Sequence, residues 1–237
     1  MTGPILILQN LSGDGPGYLG TWLAERQIRA IVLNAERGDH YPESIDGYAG
    51  LALLGGEMSA NDDLPHLRQA ERLILQAMAA DIPVIGHCLG GQLMARALGA
   101  RVRTSPQPEI GWQSITVAES DVAHAWLGGP GVRTVYHWHS ESFEMPPGAE
   151  PLAGNDACPN QAFAIGRHLA IQFHVELDEF KLAAWSASVD PAYVRQTQEH
   201  PGTVQSGAAM RAQARAALPA QQRMADRLYR RWLGVSD

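Results

Sequence analysis

The stretch Pro83-Val84-Ile85-Gly86-His87-Cys88-Leu89-Gly90-Gly91-Gln92 constrains the fold of this chain more than any other. An apolar run delivers a cysteine that has glycine two residues away on either side. A helix-like segment, Gln92 to Leu98, follows and is stopped by Gly99. This is the Gly-x-nucleophile-x-Gly pattern of a strand–elbow–helix unit. The sharp turn strains the backbone of the nucleophile, and only glycine leaves room for the neighbouring chain. The side chain then stands at the carboxyl edge of a sheet, where open α/β folds bind ligands. Its thiol also meets the positive end of a helix, which stabilises a thiolate against the reference pKa of ~8.5. The plainer reading of Cys88 is a small buried hydrophobe. Strand, flanking glycines and helix together outweigh it.

The surrounding chain has the alternation such a unit requires. Ile5 to Leu8 is a short apolar run, followed by the Gly-rich loop Ser12-Gly13-Asp14-Gly15-Pro16-Gly17. Tyr18 to Arg26 reads as a helix with Leu19, Trp22 and Leu23 on one face. Ile31-Val32-Leu33 reads as a second buried strand, and Leu51 to Leu54 as a third that ends at Gly55-Gly56. Leu64 to Ala80 has helical spacing, with Leu67, Ala70, Ile74 and Ala77 or Met78 on one face. Short apolar runs between helices predict a parallel sheet covered on both faces. From Arg101 to Phe173, β-like pieces (Ser114–Val117, Arg133–Tyr136, Gln161–Ile165, Leu169–Phe173) lie between Gly and Pro clusters, without long helices. They predict added antiparallel strands and hairpins closing one side of the sheet.

After Glu176 the pattern is helical to the end. Met224, Leu228 and Trp232 recur every fourth residue among Arg223, Arg227, Arg230 and Arg231, a charge run read as a solvated face rather than a partner surface. The expectation is an α/β fold with a flavodoxin- or Rossmann-like open, mostly parallel sheet, helices on both faces, added antiparallel strands and a helical C-terminal extension. Residues 1–177 would form the catalytic domain, and 178–237 the extension packed on it.

Composition narrows the function. Across 237 residues, 25 acidic side chains face 18 basic ones, a net charge of −7 that disfavours nucleic acid as a partner. No apolar run approaches the ~18 residues of a membrane span. The start Met1-Thr2-Gly3-Pro4 lacks a positive n-region, and Ile5 to Leu8 is too short for a signal peptide. Two cysteines, Cys88 and Cys158, fit a reducing compartment, so the expected location is cytoplasmic.

A thiolate nucleophile needs a base, and the base needs an orienting acceptor. Among nine histidines, His40, His66, His124, His168 and His200 sit in loops or polar surroundings with no carboxylate placed to help. His174 lies just past the apolar run Leu169 to Phe173, with Glu176 two residues on. Both can turn toward the edge that carries the elbow, where Glu176 would fix the tautomer of His174. Acyl transfer also needs oxyanion donors. The backbone N–H of Leu89 supplies one, and Gly56, at the end of the preceding apolar run, allows a second close approach. His137-Trp138-His139 places two imidazoles on one strand face, but no third or fourth ligand stands at structural-zinc spacing, so no metal and no other cofactor is expected.

These residues resemble the class I (triad) glutamine amidotransferase family, which includes the glutaminase half of GMP synthetases. The likeness rests on Gly86 to Gln92, Gly55-Gly56, Glu109-Ile110-Gly111-Trp112, Cys158 to Phe163 and Gln172-Phe173-His174-Val175-Glu176, and runs from about Ile5 to Leu177. It implies that Cys88 is the nucleophile, His174 the base and Glu176 its partner, with Gly56 and Leu89 as oxyanion hole. It further implies that Gln92 holds the amino-acid end of the substrate, and that His139, Ser140 and Glu141 lie on a loop contacting glutamine main-chain groups. Two positions depart from the family pattern: His87 replaces an apolar residue before the nucleophile, and Val175 replaces proline after the histidine. The expected activity is hydrolysis of a γ-glutamyl amide through a Cys88 thioester. The chain would be a glutaminase serving a separate synthase subunit, or a free-standing γ-glutamyl hydrolase acting on γ-glutamyl peptides or amines. A non-catalytic binding protein on the same fold is the third reading, opposed by the intact Cys88, His174 and Glu176.

Overall fold

The computed structural model describes residues 3–236. Four apolar runs of the first half form β1 (Ile5–Gln9), β2 (Ala30–Asn34), β3 (Gly50–Leu53) and β4 (Val84–His87). Between them run α1 (Gly17–Glu25) and α2 (Pro65–Ala79), and α3 (Leu89–Ala97) follows the elbow. The chain then makes β5 (Val102–Val117), α4 (Asp121–Leu127), β6 (Val132–Phe143), β7 (Glu150–Gly154), β8 (Ala162–Ile165) and β9 (His168–Ile171). Helices α5 (Glu179–Ser186), α6 (Pro191–Glu199) and α7 (Gly207–Leu233) complete it.

All nine strands join one sheet in the order β2-β1-β3-β4-β9-β8-β7-β5-β6. Strands β2, β1, β3, β4 and β9 run parallel, and β8, β7, β5 and β6 continue the sheet antiparallel. The period-two alternation of a strand sorts the core. Ile5 and Ile7 face one cluster with Trp22, Trp126, Leu228 and Trp232. Leu6 and Leu8 face another with Leu67, Ile74, Leu89 and Leu93. A third cluster packs Ile110, Trp112 and Tyr136 of the antiparallel part against Leu182, Tyr193, Met210 and Leu218 of α5–α7.

Several expectations are corrected. The run Ile31-Val32-Leu33 is a strand but not a buried one: β2 is the sheet's edge, with Ile31 38% and Val32 39% exposed. Its apolar composition resembles that of the central strands, which hid its place. The pieces Ser114–Val117 and Arg133–Tyr136 are the ends of two long strands paired as a hairpin, and both β7 and the short α4 were not anticipated. Helix α4 starts at Ser120, whose hydroxyl caps Ala123 N–H, and ends at Gly128 in the left-handed region. The last helix buries Met224, Leu228 and Trp232 as its spacing predicts. Of its arginines, Arg223, Arg227 and Arg231 are exposed as expected, while Arg230 is half-buried and pairs with Asp226 at 2.8 Å. No helix among the described residues is long and apolar enough to cross a membrane.

Candidate active site

The site is assembled by register. Parallel pairing sets His87 opposite Ile171, so the residues following β4 and β9 emerge side by side at the carboxyl edge. Cys88 takes the turn at φ 49° and ψ −109°, and its N–H donates to Ile171 O at 2.8 Å. The turn needs its glycines: a Cβ on Gly90 would stand 2.5 Å from Leu53 O, closer than any real contact. Helix α3 begins at the next residue, so the thiol sits at the helix N-terminus, on a residue that is 5% exposed.

His174 lies three residues past the end of β9, its N–H donating to Tyr136 O at 2.8 Å. Its Nδ1 lies 2.6 Å from Glu176 Oε1, which fixes that nitrogen as the donor. Its Nε2 is buried. The Cys88 thiol interacts with this ring through charge and a side-chain hydrogen bond that both raise the His174 pKa, while Cys88 Sγ also faces Trp138 O at 3.7 Å and accepts from Gln172 Nε2 at 3.5 Å. Burial pulls His174 down, but Glu176 and then Cys88 outweigh it and push its pKa up to about 10. Burial also opposes the Glu176 carboxylate, yet Lys181, His174 and His87 hold its pKa well below the usual range. His87 is fully buried and burial lowers its pKa, outweighing Glu176. Its Nδ1 faces Leu53 O at 3.3 Å and its Nε2 faces Tyr229 Oη at 3.5 Å.

The remaining expected positions gather nearby in different roles. Gly56 lies against Leu89, because a Cβ added to it would come within 2.9 Å of Leu89 Cδ2. The Leu89 amide belongs to the first turn of α3, where N–H groups have no intrahelical acceptor. Gln92 is buried, and its amide donates to Glu141 O at 3.0 Å and Gln172 Oε1 at 3.3 Å. The Glu141 carboxylate accepts from Ser59 Oγ at 2.7 Å, and Ser140 is exposed on β6. The His139 ring turns into a buried trio with Glu109 and His137, whose polar atoms lie within 4.8 Å of one another.

Glu109 is the third potential ligand that the sequence reading did not find beside His137 and His139. It arrives from β5, directly opposite His139 in the hairpin register. The trio is paired in part, with His137 Nε2 buried and without a partner. Glu109 accepts from Asn155 and Gln161 at 2.6 Å each and meets His139 Nε2 at 3.3 Å.

Sequence reasoning gave Trp138 as a pocket wall or core residue, but missed Trp185 and Tyr193. Trp185 of α5 meets the His174 ring edge-on at 4.8 Å. Trp138 packs on both Trp185 and Tyr193, at 5.8 and 5.1 Å between centroids. They come from β6, α5 and α6, so no local pattern links them, and of the three Trp185 touches the His174 ring.

The chain is similar to known proteins over most of its length. The family model "Glutamine amidotransferase class-I" matches residues 21–180. The glutamine amidotransferase-like protein YfeJ of Salmonella typhimurium is 33% identical over 174 residues, 70% of this chain and 72% of that protein. A GMP synthase of Porphyromonas gingivalis is 29% identical over 68% of this chain, which spans only 32% of the synthase's length. A solved glutamine amidotransferase from Methylobacillus flagellatus superposes with a TM-score of 0.89 at 33% identity, covering 99% of this chain and 95% of its own. With the elbow and fold described above, the chain belongs to the class I glutamine amidotransferase family.

Proposed function

We propose that this chain hydrolyses a γ-glutamyl amide, glutamine in the simplest case, through a thioester on Cys88. The observation that carries the reading is the state of His174: one ring nitrogen is fixed on Glu176, and the buried ring interacts with the elbow thiol of Cys88. That is the orientation a base needs in order to take and return a proton.

The Cys88 thiolate attacks the side-chain carbonyl carbon, and a C–S bond forms as the oxygen becomes an oxyanion. The N–H groups of Leu89 and Gly56 stabilise that charge, and losing one such donor typically costs about 3 kcal/mol in the transition state. The C–N bond then breaks as His174 Nε2 gives its proton to the leaving amine, released as ammonia when the donor is glutamine. Neutral His174 next takes a proton from water, whose oxygen attacks the thioester. The C–S bond breaks, leaving glutamate, thiolate and imidazolium. Glu176 holds the ring throughout, and every step uses side chains and backbone amides of this chain.

A second reading is favoured by the wall of Trp138, Trp185 and Tyr193 beside His174. The departing amine meets His174 next to those rings, which suits an apolar amine or peptide as leaving group. This chain would then be a free-standing γ-glutamyl hydrolase rather than a glutaminase serving a separate synthase.

Turnover on glutamine and on glutathione, with Cys88→Ala as control, tests both. Release from either substrate that disappears in Cys88→Ala supports thioester chemistry. Faster release from the peptide supports the hydrolase, and slow glutamine hydrolysis alone supports the glutaminase. Activity retained in a folded Cys88→Ala protein rules the mechanism out.

A further inference from the structure

Among 18 basic side chains the sequence has a single lysine, Lys181. It is buried behind the triad, with its side chain only 3% exposed. Three oxygens surround its ammonium group. Nζ lies 2.5 Å from Asp14 Oδ1, 3.1 Å from Gly15 O and 3.2 Å from Glu176 Oε1. Glu176 Oε1 is the same oxygen that holds His174. Three acceptors in different directions suit a compact ammonium and not the planar fork of arginine, which accounts for a lysine at this one place. Asp14 comes from the loop after β1 and Lys181 from the first turns of α5. Both lie outside the residues 21–180 matched by the family model.

We propose that Lys181 and Asp14 are a positioning pair for the triad, in which Lys181 shares the charge of Glu176 and Asp14 sets how large that share is. The inference rests on the role of His174 as the base proposed above. A carboxylate facing only His174 would hold the imidazolium so firmly that its proton would be given up slowly to the leaving amine. A second cation on the same oxygen weakens that hold, and an anion on the second cation restores part of it. Asp14 is close enough to act. A Cβ on Gly55 would stand 2.7 Å from Asp14 Oδ2 and 3.0 Å from His174 Cε1, so the two groups flank one glycine.

Other charged or titratable groups also face this cluster. Cys88 stands at the elbow, His87 on β4, His137 on β6 and Tyr229 on α7. His87 and His137 are buried, with their pKa values lowered by burial, and Tyr229 is buried with its pKa raised. None of the three carries charge near neutral pH, which leaves Asp14 and Lys181 as the fixed charges behind Glu176.

The pair makes a prediction of opposite signs. Removing the cation in Lys181→Met leaves two carboxylates to hold the imidazolium, so the titration of His174 moves up by about one pH unit or more. Removing the anion in Asp14→Asn leaves Lys181 to Glu176 alone, and the titration moves down by a similar amount. The double variant returns toward the parent, because a neutral pair has been removed. The measurement is the ring titration of His174 by NMR in histidine-labelled protein, with His174→Gln identifying the signal. Alkylation of Cys88 by iodoacetamide across pH is followed alongside.

Opposite shifts with partial cancellation support the inference. Shifts of the same sign, or none, overturn it even if both variants lose activity, since loss of packing alone produces no such pattern. Should Lys181→Met fail to fold, Asp14→Asn decides alone: a downward shift supports the inference and an unmoved titration overturns it. Neither readout needs a substrate. Opposite shifts in a protein that turns over no γ-glutamyl amide would support the charge arrangement while removing the proposed function.

Discussion

At the scale of single residues, the site depends on a backbone carbonyl as much as on side chains. Tyr18 N–H, at the start of α1, donates to Glu176 O at 2.9 Å, which fixes where Glu176 leaves the main chain. Gly17 makes that approach possible. It sits at φ +47°, and a Cβ there would stand 2.2 Å from Glu176 O and 2.9 Å from Lys181 Cδ. Gly17→Ala therefore adds left-handed strain of roughly 1–2 kcal/mol and pushes the Glu176 turn outward. The expected outcome is a lower urea midpoint together with a fall in kcat of up to about 100-fold, since displacing a catalytic group by ~1 Å can cost that much. A drop in stability with unchanged kcat would show that the loop does not position Glu176.

Among the elements, α7 works as a clamp on the site and not only as a cover for the sheet. Gln221, buried within it, accepts from Tyr136 N–H at 2.7 Å and donates to His174 O at 3.0 Å, and Tyr229 reaches His87. Gln221→Met keeps the volume but orphans the buried Tyr136 N–H, costing about 1–3 kcal/mol, and leaves His174 O only the Leu177 N–H at 3.3 Å. Chemical denaturation is expected to record that loss, with a raised sensitivity of turnover to temperature as His174 loosens. A variant as stable as the parent would mean that water replaces both partners. The sequence makes the elbow legible because Gly86, Cys88 and Gly90 are adjacent in the chain and the turn is local. Helices α1 and α2 are equally readable, since their apolar faces recur at helical spacing. Gln221, Lys181 and Asp14 are not readable, because none stands in a motif that marks it, and Glu109 stands in a motif but its pairing with His139 depends on the hairpin register. The edge position of β2 is hidden for a similar reason: its apolar residues suit a central strand, and only the strand order shows which face is left open.

For the molecule as a whole, the same buried charges set how stability depends on pH. His137 is fully buried, and burial lowers its pKa to about 3 against the charges of Glu109; His87 is shifted the same way. Below pH 6.5 the unfolded chain binds protons at these positions that the folded chain refuses. Stability therefore falls as pH drops through that value, by up to about 1.4 kcal/mol per pH unit for each group. Glu176, lowered from 4.5, adds a loss further into acid. His174 acts in the opposite direction. Raised from 6.5 to about 10, it keeps a proton that the unfolded chain has released, so its contribution is complete below 6.5 and disappears as pH rises through 10. The two effects together predict a stability maximum near pH 6.5, with losses on both sides. Urea unfolding followed from about pH 5 to about pH 9 measures the curve. His137→Phe, which fills the space with an apolar ring, is expected to flatten only the acid limb. His174→Gln is expected to flatten only the alkaline one. If stability instead rose steadily from neutral pH into alkali, His174 would not be held as an imidazolium, and the charge arrangement drawn around Glu176 would be wrong.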